Sequence, residues 1–465
     1  MKNLLKCMIL ALGALTSSII SADVVVNVNK GVHSAINISI STNSPEAGLE
    51  DFVRSIIEKN LKNCGAFNPI PHQAFMEKLV AGETPNFALW EQIRSPYLVD
   101  VGVVSNGNTV YMTMRLYDVF SKKEIGYFYI SGEKSNMRLM AHMVSNKIYE
   151  RIIGEKGYFD TQVLYVATVK NKKMKNYRIA IMDQDGDNLR YLTNGAFTVL
   201  TPRISPNGKE FAYFMWDERI MNGRRIPISG AVYIYNLSAN RSRLIRKFKG
   251  MSYAPRFSPD GNTLIFSLSH KGSSSIYTYD IISGKMTRIT KGPYIDTSPC
   301  YSPDGKKIVF NSDRAGKQRL YIMDADGRNI QPFGTGKGRY ATPVWSPRGD
   351  WIAFTRFGVG GFFIGICRPD GTGERMLSSG YLVEGPTWSN NGHVLMFSHQ
   401  DYRGNNRIFS VDVTGYNKHE VSTKTQATDP EWSSAKSDEA IRKGSVVIHK
   451  DTIGAIALKN NAVER

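Results

Sequence analysis

The sequence predicts an α/β N-terminal domain followed by an all-β six-bladed β-propeller, and three observations lead there. A phrase whose fullest form is Pro-x-aromatic-Ser-Pro-Asp/Asn-Gly recurs down the second half: TPRISPNG from Thr201, APRFSPDG from Ala254, SPCYSPDG from Ser298, TPVWSPRG from Thr342, GPTWSNNG from Gly385 and a truncated DPEWSS from Asp429. Its leading prolines, Pro202, Pro255, Pro299, Pro343, Pro386 and Pro430, are spaced by 53, 44, 44, 43 and 44 residues. A period near 44 holding several short strands is that of propeller blades. After each turn glycine come apolar pairs: Phe211 and Tyr213, Leu264 and Phe266, Ile308 and Phe310, Ile352 and Phe354, Leu395 and Phe397. The residue between each pair is apolar too, so these strands are covered on both faces, as inner strands between blades are.

Taken in order, residues 1–22 read as a secretory signal, with basic Lys2 and Lys6, an apolar stretch from Met8 to Leu15 and cleavage after Ala22. The stretch is too short to span a bilayer, so the mature chain is expected to be exported and not membrane-inserted. Residues 23–34 begin with DVVVNVNKGVH, a strand-prone segment set off by Gly31. It reads either as a first edge strand or as a segment that pairs with a partner's open sheet edge.

Residues 35–157 form the small α/β domain. Ser44-Pro45-Glu46 looks like a helix start, with Leu49, Val53, Ile56, Ile57 and Leu61 following at helical spacing up to Gly65. Strand-like VDVGVV, TVYMTMRLYDV and EIGYFYIS follow around a Ser-Asn-Gly-Asn turn, then a helix bearing Leu139, Met143, Ile148 and Ile152.

Residues 158–434 are the propeller. Ser-Pro-Asp-Gly joins a preset φ, an Asx side chain and a glycine free to take positive φ, a tight turn between strands one and two. The ring is predicted to close on one shared blade, with residues 163–193 giving strands two to four and residues 429–434 the innermost strand. Residues 435–465 extend beyond that closure, and the sequence assigns them no role.

The formal charge of +18 falls to +16 without the two signal lysines, and Lys and Arg cluster in KNKKMKN (170–176) and RLIRKFK (243–249). For an exported propeller these read as basic loops favouring acidic surfaces, not as nucleic-acid recognition. Cys64, Cys300 and Cys367 are odd in number and far apart, so no structural disulfide is expected, and no metal motif or cofactor site is recognisable. Asp183-Gln-Asp185-Gly-Asp187 lacks the EF-hand pattern, with glycine at the fourth position and Asn194 at the twelfth, and reads as an Asp-Gly turn.

The segments VVVNVNKGVHSAINISI, LKNCGAFNPI and IYERIIGEKGYFDTQVLYVAT, together with the signal and the propeller repeats, resemble the TolB family, periplasmic propellers of Tol-Pal systems. The resemblance covers the mature chain to about Ser434 and implies binding without catalysis. It implies a TolA-binding segment at Asp23, Val24, Val25, Val26, Asn27, Val28, Asn29 and on to His33. It implies loops for the lipoprotein Pal at Met251, Ala254, Asp296 and Thr297, with other envelope proteins as further candidates and a monomeric state. It also implies a role in outer-membrane integrity and envelope constriction during division. Met251 stands where the family often has histidine, and His33, Ile36 and Asn37 depart from its usual Asp, Arg and Pro, which bears on partner affinity.

Geometry points to the same face. Loops entering innermost strands share one channel mouth, which gathers Leu200, Tyr253, Asp296, Tyr340, Ala341 and Glu384. The alternative is a propeller enzyme, a hydrolase or a lyase with groups such as His270 or His399 in the channel. A peptidase of the propeller type needs Gly-x-Ser-x-Gly, which is absent, and an α/β-hydrolase domain, for which the 31 residues after the last strand are too few.

Overall fold

In the computed structural model, residues 35–80, 83–170, 175–221, 224–248, 252–270, 272–334, 338–358 and 360–449 are described. The N-terminal sheet grows from β1 (Ile36–Asn43), which runs parallel to both β2 (Phe67–Pro69) and β3 (Tyr97–Asn106). The parallel pairing follows from the crossover through α1 (Leu49–Asn63). β3, β4 (Thr109–Asp118) and β5 (Lys123–Glu133) then form an antiparallel meander, and α2 (Met137–Ile153) follows. Val53, Ile57 and Leu61 of α1 and Met140, Val144 and Ile148 of α2 share a core with Ile38, Ile40, Val101, Met112 and Ile130 of the sheet.

Two features differ from the sequence reading. The first helix begins at Leu49, a turn later than Ser44-Pro45 suggests, because the Ser44 hydroxyl accepts the Glu46 N–H in a local turn and Gly48 leads into the helix at φ 85°. The second is the C-terminal stretch. After closing the propeller the chain forms α3 (Ser437–Arg442) and returns as a strand, Val446–His449, antiparallel to β5, from Val446↔Gly132 to His449↔Tyr129. It becomes the sixth strand of the N-terminal sheet, with the His449 ring stacked on Tyr129 at 4.2 Å.

The propeller consists of six four-stranded sheets. In blade one the innermost strand, Gln426–Ala435, pairs with Thr161–Lys170, so the ring closes across the two ends of the domain. Blades two to six use residues 199–248, 252–288, 297–333, 339–380 and 382–421 in turn. The strand-one-to-two turns follow the motif's chemistry. In Ser302–Gly305 the Ser302 hydroxyl donates to Asp304 at 2.6 Å, Asp304 accepts the Lys306 N–H at 3.1 Å, and Gly305 takes φ 72°.

The repeated proline has a structural cause that the motif alone does not disclose. Every innermost strand carries a register shift at its pre-proline–proline pair, which lies opposite a single strand-two residue. That residue is aromatic in all six blades: Tyr165, Tyr213, Phe266, Phe310, Phe354 and Phe397, each buried. A bulge leaves one position without a ladder bond, so proline's missing N–H costs nothing there. The residue before it bends to positive φ at Thr201, Ser298, Thr342, Gly385 and Asp429 (46–66°).

The domain seam is part of one continuous core, in which Tyr158, Phe159, Tyr165 and Trp432 pack with the N-terminal residues. Charge closes it. Arg138 of α2 donates to Asp183 at 2.8 Å and to Asp185, Lys59 of α1 meets Asp187 at 2.7 Å, and Gln162 donates to Asp183 at 3.1 Å. Burial pushes the Asp183 carboxyl up, but bonds and charge from His142, Arg138 and Gln162 outweigh it and hold the group well below the usual carboxylate range.

Candidate docking face at the channel mouth

The bulge fixes what the mouth presents. Because the pre-proline residue turns the chain just before the strand enters the channel wall, the residues ahead of it form a ring on one rim, and the Ser-Pro-Asp-Gly turns lie on the other. Blade four shows how such a loop is held. Asp296 is 1% exposed, and Arg314 grips its carboxylate with bonds of 2.9 and 3.0 Å. The same guanidinium lies 5.0–5.3 Å from the ring centres of Tyr294, Phe310 and Tyr321, and the Ile295 N–H donates to Asp313 at 2.7 Å. Thr297, next in line, is half-buried and its hydroxyl accepts from Asn311 at 2.7 Å. A loop clamped this firmly loses little freedom when a partner docks on it.

The expected mouth residues fall into three groups. Thr297, Ala341 and Leu200 are half-buried and Glu384 is exposed, so their surfaces are open to a partner. Asp296 and Tyr340 are corrected from contact residues to supports. Asp296 is locked under Arg314. Tyr340 is 1% exposed, with its hydroxyl donating to Glu374 at 3.0 Å and its ring edge-on to Phe354. Strand alternation turns Tyr340 into the blade, where a reading based only on loop position puts it outside. The third group is Tyr253 and Ala254, described by backbone alone in the strand Ser252–Phe257. Met251, the TolA-like residues Asp23 to Asn29 (all seven) and His33 lie outside the described residues.

Charged groups that the sequence reading did not single out line the channel wall behind the mouth. Glu431, one residue past Pro430, lies 3.6 Å from both Arg203 and Arg256, which hold the same place after Pro202 and Pro255. Equivalent blade positions are thus brought together by symmetry, a signal present in the repeat alignment. Burial, then the Arg256 charge, pulls the Arg203 pKa down. Burial also raises the Glu384 carboxyl, helped by Asp429 nearby, and raises Asp429 despite Arg203. Glu384 is open to channel water yet flanked by protein on most sides, so it is accessible and still poorly solvated.

Two other readings meet the structure here. His142, Asp183 and Asp185 lie close enough to suggest a metal group. The arrangement is an ion-pair latch, since the Arg138 guanidinium takes both carboxylates and the His142 Nδ1 meets the Asn60 amide at 2.9 Å, leaving the Nε2 proton to face Asp183 at 3.8 Å. His399, weighed for a lyase, packs on Phe409 with ring centres 4.8 Å apart, and burial lowers its pKa. Cys64, Cys300 and Cys367 are buried free thiols, and among the described residues no helix is long and apolar enough to cross a membrane.

Comparison with known proteins agrees with the fold at both ends. Residues 24–125 match the family model of the TolB amino-terminal domain and residues 149–436 that of the TolB beta propeller domain. The Tol-Pal system protein TolB of Rickettsia bellii (strain OSU 85-389) is 47% identical over 453 residues, 93% of this chain and 99% of that protein. That of Gluconobacter oxydans (strain 621H) is 40% identical over 394 residues, 83% and 84% of the two chains. The crystal structure of TolB from Acinetobacter baumannii superposes with a TM-score of 0.75 at 24% identity, covering 86% of this chain and 96% of that one.

Proposed function

The chain belongs to the TolB family and is a component of a Tol-Pal system, and we propose that it acts there as a non-catalytic interaction hub in the periplasm. In this reading the signal is removed after Ala22, and the segment from Asp23 to Asn29, with His33, binds TolA as an added strand. The channel mouth binds Pal, through Thr297, Ala254, Ala341 and Glu384. By joining the two, the protein supports outer-membrane integrity and constriction of the envelope during division.

The observation that supports the mouth most directly is the clamp on blade four. Asp296 and Arg314 hold the backbone so that Thr297 projects from a fixed point on the rim. The aromatics that this clamp uses, Phe310 and Tyr321, belong to the blade core, so the loop inherits the rigidity of the sheet.

The test uses the mature chain and purified Pal and TolA in calorimetry. Thr297→Arg puts a bulky charge at the centre of the docking face and is expected to weaken Pal at least tenfold, about 1.4 kcal/mol, with the unfolding temperature unchanged. Deleting residues 23–29 should abolish TolA binding and spare Pal. Full Pal affinity in a folded Thr297→Arg variant moves the docking face elsewhere, and retained TolA binding rejects the N-terminal assignment.

A further inference from the structure

Blades one and two differ at their outer edges. The outermost strand of blade one, Arg190–Tyr191, has 2 residues, whereas that of blade two, Arg241–Phe248, has 8. Blade one therefore covers only the inner part of the face that blade two turns towards it, where Ile179 and Ile181 share a core with Phe211 and Tyr213. The outer part of that face borders a recess of about 310 Å³, the size of a small ligand site.

The recess has an apolar end and a polar, cationic one. Val199 pairs with Met215 at the first and Tyr235 with Phe211 at the second, four residues or about 13 Å apart along the same strand. Phe197, 39% exposed, completes the apolar end. At the other end the Tyr235 hydroxyl donates to Asn240, the Tyr213 and Ser242 hydroxyls lie 2.8 Å apart, and Arg241 lines the opening. The register Ile181↔Arg190 puts Arg190 on the face that blade one turns to blade two, and its charge opposes the rise that burial gives the Tyr235 hydroxyl. Arg190 and Arg241 are exposed, and among the described residues neither forms an ion pair. Among the described residues no carboxylate lines the recess, and Glu218, past its apolar end, is engaged by the Thr198 N–H at 3.1 Å. An apolar group carrying one negative charge fits both ends.

Two further observations favour a peptide. The wall is set in advance, with Leu192 and Thr193 pinned to Ile179 by bonds of 2.8 and 2.9 Å, so little freedom is lost on binding. Arg241–Phe248 is also the outer edge of its four-stranded sheet, and it begins where the recess opens, at Arg241 and Ser242. A peptide added antiparallel along that edge ends at the recess. We propose that the recess between blades one and two binds the carboxyl-terminal residue of an extended partner peptide. Its apolar side chain lies over Tyr213 towards Met215, and its carboxylate sits beside Arg190 and Arg241. The site is on the flank of the ring and does not rest on what docks at the channel mouth.

Nuclear magnetic resonance of the full chain, isotope-labelled at its methionine methyls and titrated with acetyl-Thr-Val-Thr-Phe, tests this. The Met215 signal, identified by its loss in Met215→Leu, should shift saturably. Amidating the peptide's carboxyl terminus and substituting Arg190→Ala/Arg241→Ala should each weaken binding about tenfold. Ser242→Trp, which fills the recess from an exposed position, should abolish binding and leave the unfolding temperature unchanged. The proposal is overturned by the absence of a saturable Met215 shift, or by binding that survives Ser242→Trp. Equal affinity for the amidated peptide removes the carboxylate from the account, and equal affinity for N-acetylphenylalanine makes a free small acid the occupant. Either result overturns it as well.

Discussion

The domain seam and the channel mouth use the same materials, buried carboxylates beside arginines, and reach opposite balances. In the seam latch each carboxylate meets a cation: Arg138 forks to Asp183 and Asp185, Lys59 takes Asp187, and Gln162 fills a further site on Asp183. The result is a carboxyl held well below its usual range. At the mouth, burial and then the nearby Asp429 charge raise Glu384, and burial raises Asp429 despite Arg203, which is itself pulled down by burial and by Arg256. A network complete within the chain explains itself as structure. Groups held short of partners are where an outside partner has most to gain, which is why the mouth is the better docking candidate. Backbone strain does not discriminate in this way. The positive-φ residue ahead of proline recurs around the ring, so it belongs to the architecture.

The largest effect is expected from breaking the complete network. Arg138→Ala leaves Asp183 buried without its arginine counter-charge and Asp185 with only Lys59 at 3.9 Å, and removing one partner of such a group costs about 3–5 kcal/mol. Denaturant unfolding at neutral pH measures it. A loss below about 1 kcal/mol would mean that the seam is held by its apolar core alone and that the latch is incidental.

Acid offers a milder way to open the same latch. Asp183 binds its proton less readily in the folded than in the unfolded chain, so its contribution is complete above the unfolded pKa, near 4, and is lost as pH falls through the lower, folded value. Stability of the wild type should therefore decline below about pH 4 more steeply than that of Asp183→Asn, which has no carboxyl to protonate there. Parallel declines would remove Asp183 from the account.

These residues also mark how far the sequence was legible. The blades were readable because each repeats a chemically distinctive pair, a proline on the innermost strand and an aromatic on the adjacent strand, which are the two sides of one bulge. The N-terminal helices were readable from their spacing. The parallel seat of β1 was not, and neither was the return of Val446–His449 to β5, since pairing between residues more than 300 positions apart leaves no local signature in four residues. Counting strands places the mouth residues ahead of or at the start of innermost strands, but it gives no side-chain direction. Tyr340 and Asp296 lie before or at a strand start and look like loop surface, and what buries them is Arg314, Phe354 and Glu374, residues that no motif marks.

The smallest effect sharpens the comparison from the other side. Glu384 binds its proton more tightly in the folded chain than in the unfolded one, first because burial disfavours its charge and then because Asp429 is near. The sign is opposite to that at the seam. At neutral pH the ionised group costs stability, and the cost shrinks as pH falls through the raised folded pKa and is gone below the unfolded value. Glu384→Gln should thus stabilise the propeller at pH 7, by less than about 1 kcal/mol because the side chain also reaches channel water and is partly screened. The gain should vanish at acid pH, where the wild-type carboxyl is protonated as well. A variant that is less stable at neutral pH would show that Glu384 is satisfied after all, and the contrast between a completed seam and an incomplete mouth would fail at the residue where it is most exposed to test.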